Sequence, residues 1–295
     1  MLWLVNLIAF IINILVVGLA TFGALGESNA DVSDNNPTLI TPADWAFVIW
    51  SLIFLTEIIL VVWQLFNGNE AIITEGLGIW FAVACVLQAV WSVAFAQEEL
   101  ELSAILLVGI AVSLGIAVIR LAEFKKKERS LCPSLSYWIV NFPIGLHGGW
   151  VLAAALVNIN VALDDPTLSQ EVTASILSLV AAAIGAGVAA SLFLDRVYLL
   201  SIAWALAAVS DNDSYRKDRL NDPIANGFTD AVTGLYVALL IFAGLTLLNS
   251  WFFGSQPDKH QHAAPRESKG PHYRRKGRDA AGHTQRELTG AIAGP

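Results

Sequence analysis

Apolar residues in this chain collect into runs of roughly 20, and that length constrains the fold more than any other feature. At ~1.5 Å per helical residue, such a run crosses a hydrocarbon core of ~30 Å. Soluble domains break a similar apolar fraction into short amphipathic stretches. Here 56% of the residues are apolar and 14% are charged, and the apolar ones are contiguous. Eight runs stand out, at 2–25, 44–66, 77–96, 102–122, 136–163, 172–192, 197–209 and 229–253. The expected fold class is an all-α polytopic transmembrane helix bundle of about eight spans.

Only Asp195 and Arg196 separate the sixth run from the short seventh. Merging the two would give seven spans, and the distribution of basic residues decides against it. With eight spans, Arg120, the Lys125-Lys126-Lys127 run, Arg196 and the C-terminal tail share one side. That side then holds fourteen of the 17 Lys and Arg. The other side takes Glu27, Asp31, Asp34, Glu98, Glu99, Glu101, Asp164 and Asp165. Both termini are expected on the cytoplasmic side or its equivalent. The first run lacks a basic n-region and is longer than a signal-peptide core, so it reads as a span. Cys85 falls inside a span and Cys132 in the basic loop, where both read as reduced and structural.

The chain divides into three parts by pattern. Residues 1–163 carry five spans, 164–254 carry three, and 255–295 form a polar tail. The tail is rich in Gly, Pro, His and Arg, with too few large apolar side chains to offset ordering entropy, and reads as disordered. Its eight basic residues suit an anionic leaflet or simple solvation. The two long loops, 26–43 and 210–228, both fall opposite the basic side, where they could cover the mouth of a cavity.

Ten tryptophans are present. Trp3, Trp138 and Trp251 sit near span ends, as an aromatic belt requires. Trp50, Trp91 and Trp150 lie inside spans, where an indole offers a stacking face and an N–H that wants an acceptor. Span two opens Thr41-Pro42-Ala43-Asp44-Trp45-Ala46-Phe47-Val48-Ile49-Trp50, with Phe54 one turn on. Span three carries Gln88-x-x-Trp91-x-x-x-Phe95, and span five carries Trp150-x-x-x-Ala154-x-x-x-Asn158. Spacings of four place the last three side chains on one helical stripe. In this order the three segments resemble the TspO family of tryptophan-rich sensory proteins, across spans one to five. Val48–Ile49 stand where that family has paired prolines, and Gln88 where it has Asn. The resemblance implies a five-helix bundle with a cavity for a planar apolar ligand, a tetrapyrrole or a sterol-like lipid. Carried over, the walls would be Trp45, Phe47, Trp50 and Phe54; Gln88, Trp91 and Phe95; and Trp150, Ala154 and Asn158, with His147 beside them. Porphyrin or heme would be a ligand; no resident cofactor is implied.

Two ionisable groups sit inside spans. Glu57 lies seven residues past Trp50 on roughly the same face, where a lone carboxylate costs ~3 kcal/mol or more. It is either a cavity-lining or proton-linked acid, or a protonated carboxyl bonded to a neighbouring helix. His147, in Gly145-Leu146-His147-Gly148-Gly149-Trp150, could meet a ligand or bridge two helices; its glycines allow close approach. Gln88, Asn141, Asn158 and Asn160 suit interhelical hydrogen bonds. The small-residue face Ala174, Ser178, Ala182, Gly185, Ala189 of span six suits tight packing against span five or a partner protein.

No hydrolase triad, Walker loop or dinucleotide fingerprint is present, the tail histidines lack zinc spacing, and no nucleic-acid-binding motif accompanies the basic tail. No catalytic or metal-ligating set is expected. Three roles remain open: a receptor or sensor for a small hydrophobic ligand, a secondary transporter, and a scaffold subunit in a homodimer or larger membrane complex.

Overall fold

The computed structural model describes residues 1–68, 70–128, 134–192 and 195–253, the last five of these by their backbone only. Cys132, the side chain of Trp251 and the tail 255–295 lie outside the described residues. Among the described residues there are ten α-helices, eight of them on the apolar runs and the short α2 and α9 in the polar loops: α1 Leu2–Thr21, α2 Asn29–Asn35, α3 Ile49–Asn67, α4 Trp80–Ala96, α5 Leu100–Glu128, α6 Leu135–Val161, α7 Leu168–Leu192, α8 Arg196–Asp211, α9 Ser214–Arg219 and α10 Asp222–Phe253. A 3₁₀ turn, Asp44–Val48, leads into α3, and a π turn, Ile72–Leu77, precedes α4. There is no strand among the described residues.

Among the described residues six helices are long and apolar enough to cross a membrane: α1, α3 with its 3₁₀ turn, α5, α6, α7 and α10. The protein is therefore a polytopic helical membrane protein. The other two expected spans form the shorter helices α4, of 17 residues, and α8, of 16. At ~1.5 Å per residue each reaches about 25 Å. The described residues form one compact unit, in which α7 and α8 complete the packing around α6.

The α6 helix is the axis. Its apolar window is 72% buried, against 17–44% for the other five long helices. Glycines make room for its neighbour α8. A Cβ on Gly149 would sit 2.3 Å from the Tyr198 carbonyl oxygen, and one on Gly148 would sit 2.8 Å from the Tyr198 ring. Ser201 donates to the Leu146 carbonyl at 2.8 Å. On the opposite flank the small face of α7 meets α6. Asn160 donates to Ser178 at 2.9 Å, and a Cβ on Gly185 would strike Leu152 at 2.5 Å.

Asp195 breaks the α7–α8 run into a hairpin. Its Oδ1 accepts the Tyr198 N–H at 3.0 Å and so caps α8. Ser178 and Ala182, far from this turn on α7, face the same cavity as Ala205 and Val209, far from it on α8. The two helices are therefore antiparallel. Lys126 donates to the Leu192 carbonyl, which brings the lysine run and the hairpin turn to one end of the bundle.

Asp195 is only 3% exposed. Burial pushes its carboxyl from an ordinary 3.8 up to about 6, against the Tyr198 and Val197 N–H groups, Asn141 and Lys125, which all favour the anion. Between those values the native state holds a proton that the unfolded chain has released. Stability from this group is complete below 3.8 and lost as pH rises through about 6. Melts of Asp195→Asn and wild type should diverge accordingly, wild type alone gaining stability between pH 7 and 5. Parallel melting curves would refute this account of Asp195.

The two long loops lie together at the other end. Arg216 of α9 is 1% exposed and donates to the carbonyls of Leu39 and Ser210 and to Thr229 Oγ1. The Ala43 N–H bonds the Ala208 carbonyl. Gly26 turns at φ 148° against Ala96, so close that a Cβ would overlap the Ala96 carbonyl. Residues 26–43, α2 included, thus form a strap tied to α4, α8 and α9.

Candidate functional site

Helical spacing builds an aromatic ladder beneath the strap. On α3, Trp50 and Phe54 lie one turn apart and stack at 5.7 Å and 19°. On α4, Trp91 and Phe95 do the same at 5.2 Å and 20°. Trp50 and Trp91 stack across the helix interface at 6.3 Å and 27°. From α6, Trp150 meets Trp50 edge-on at 6.1 Å and Phe47 at 6.0 Å. Both arrangements match the ring quadrupoles.

The ladder walls a cavity of about 80 Å³. Phe47, Trp50, Trp91, Phe95, Trp150, Ala154 and Asn158 all line it. So do residues outside the expected set: Asn29, Val32, Ser33, Ile40 and Pro42 of the strap, Ser178 and Ala182 of α7, and Ala205, Leu206 and Val209 of α8. The cavity was expected among the first five spans alone, yet α7 and α8 close one side of it. The run of small residues on α7 was the available signal, and it reads equally well as packing. Three buried polar atoms of lining residues have no hydrogen-bond partner in the protein: Trp150 Nε1, Asn158 Oδ1 and, on the strap, Asn29 Oδ1. Trp150 and Asn158 are 3% and 4% exposed. The Trp91 indole is satisfied by Ser103 Oγ at 2.8 Å.

Four residues of the expected set lie elsewhere. Trp45 is 42% exposed, donates to Asp211 Oδ2 at 2.8 Å and packs edge-on against Trp204. It fastens the 3₁₀ turn to α8. Gln88 accepts from Asn13 at 2.8 Å. With Phe54 it lines a separate groove of about 410 Å³ that runs beside α1 and shares Trp50 and Trp91 with the cavity. His147 is fully buried beneath Trp50, edge-on at 5.6 Å.

His147 Nδ1 and Glu57 Oε1 are 2.7 Å apart, and both residues are 0% exposed. Glu57 therefore faces a helix partner and not the cavity. Glu57 Oε2 and His147 Nε2 have no partner in the protein. No cluster of three or more His, Cys, Asp or Glu suited to a metal ion exists among the described residues.

No curated protein and no solved structure matches this chain. One family's sequence model, described as TSPO-like protein, matches residues 3–252. That match runs beyond spans one to five, through α7 and α8 and nearly to the end of α10, and so takes in every helix that walls the cavity. On this match the chain belongs to the TSPO-like protein family.

Proposed function

We propose that the protein is a membrane receptor or sensor that binds a planar apolar molecule, of porphyrin or sterol type, in the cavity beneath the strap. The observation that carries this reading is the pairing of stacked aromatic faces with two unpartnered polar atoms, the Trp150 N–H and the Asn158 carbonyl oxygen. Flat rings supply most of the binding through stacking and apolar burial, and the two polar atoms fix orientation. Drug-sized ligands need ~300 Å³ or more, and the cavity offers about 80 Å³. Entry therefore requires the strap to swing outward, breaking bonds such as Arg216 to Leu39. Both termini face the basic, cytoplasmic-equivalent side, and the strap faces the other.

Quenching of tryptophan emission by protoporphyrin tests the site. Each aromatic contact contributes ~1 kcal/mol beyond area burial, so Trp50→Ala with Trp150→Ala should weaken binding by ~100-fold once lost area is included. Saturable binding with unchanged affinity in the double variant sinks this assignment.

A further inference from the structure

The four helices around the ladder are almost free of charge. Over their full lengths α1, α3, α4 and α6 contain no Asp, Lys or Arg, a single Glu and a single His. Those two residues, Glu57 and His147, stand 90 positions apart in the chain and meet at 2.7 Å with no solvent exposure. Chance packing would leave each alone at a cost of ~3 kcal/mol or more. Their polar atoms are also incompletely used. His147 engages through Nδ1, leaving Nε2 without a partner, and Glu57 engages through Oε1, leaving Oε2. A purely structural bridge would satisfy both ends of each group.

We propose that Glu57 and His147 form a membrane-embedded proton-binding site beneath the ladder, whose occupancy is passed to the cavity through Trp50. With Nδ1–H donated to the carboxylate, the Nε2 lone pair is the open position. A proton taken there from water turns a carboxylate–imidazole pair bearing one net negative charge into a neutral carboxylate–imidazolium pair. The indole edge-on to His147 at 5.6 Å is also a wall of both the cavity and the groove. A change of charge on the imidazole therefore acts on the ring that the ligand would stack upon.

The surroundings suit a proton and not a metal. From α4, the buried Cys85 lies within electrostatic reach of Glu57. The neutral Asn13–Gln88 pair completes that side. From the α7–α8 turn, the Asp195 carboxylate packs on Gly145, two residues before His147, with Lys125 of α5 near it. Tyr198 of α8 covers Gly148, and Arg120 of α5 is engaged with the carbonyls of Glu75 and Gly76. No cation faces Glu57 among these groups.

The test uses the full chain in lipid nanodiscs, with ¹⁵N-labelled histidine. Of the five histidines, four lie beyond residue 253, and the His147 resonance is identified as the one missing from His147→Gln. Its Nε2 resonance should move from the unprotonated to the protonated range on acidification, with a matching loss of tryptophan emission. His147→Gln should abolish both signals. Trp50→Phe should abolish the emission change and keep the nitrogen shift, which guards against a His147→Gln variant that fails to fold. An Nε2 resonance that stays unchanged across the folded pH range overturns the proposal, as does an emission change that survives His147→Gln. The link to the cavity rests on the ligand-binding reading. Lost protoporphyrin quenching with an intact histidine shift would fail that reading alone, and intact quenching with an invariant histidine would fail the proton site alone.

Discussion

Glu57→Leu is expected to destabilise the bundle by ~3–5 kcal/mol, and adding His147→Leu should restore most of the loss. The single change strands the His147 ring, both of whose nitrogens are then unpartnered in a fully buried layer. The double change replaces two polar groups that must be desolvated by two apolar ones of similar size. An ordinary side-chain hydrogen bond between membrane helices contributes only ~0.6 kcal/mol, with a ceiling near 1.7. An effect at that lower level would mean that the pair is a neutral bridge. Thermal unfolding of the two singles and the double in detergent decides between these outcomes. A double variant as unstable as either single would show that the site, and not the pairing, tolerates no leucine.

That pair also marks where the sequence stops being readable. The bundle itself was legible because membrane spans advertise themselves by length. The α7–α8 break was legible because Asp195 and Arg196 cannot sit mid-span without a reason, and the basic residues agreed. The aromatic ladder was half legible: Trp50 with Phe54 and Trp91 with Phe95 share a face by their spacing of four. Which helix faces which is a tertiary fact, and nothing local in 57 or 147 announces a partner 90 positions away. Trp45 shows a subtler failure. Read as part of an α-helix from residue 44, it belongs to the same segment as Trp50. In the structure Asp44–Val48 is a 3₁₀ turn, which advances ~120° per residue where an α-helix advances ~100°. The changed phase leaves Trp45 on α8 and its acceptor Asp211. The α7–α8 wall was unreadable for a related reason. Small residues such as Ser178, Ala182 and Ala205 look alike whether they pack against a helix or border a space, and only the spacing between helices separates the two.

Gly149→Val should be the most damaging single change on the α6–α8 contact, at about 3 kcal/mol, the upper part of the overpacking range. The atom opposing the new Cβ is the Tyr198 carbonyl oxygen at 2.3 Å, followed by Ser201 Cβ at 2.8 Å. The first is helix backbone, in the first turn of α8, and cannot rotate aside, so the two helices must part. Parting them also breaks the Ser201 bond to the Leu146 carbonyl. It moves Ala205, Leu206 and Val209 as well, which wall the cavity, so protoporphyrin quenching should weaken along with stability. Gly115→Ala is the matched control: a Cβ there meets nothing within 4 Å. Better helix propensity should make it neutral or stabilising, by up to ~1 kcal/mol. If Gly149→Val melts with wild type and binds protoporphyrin unchanged, α8 is not held against α6 at this glycine. The cavity wall that α7 and α8 supply would then need another anchor.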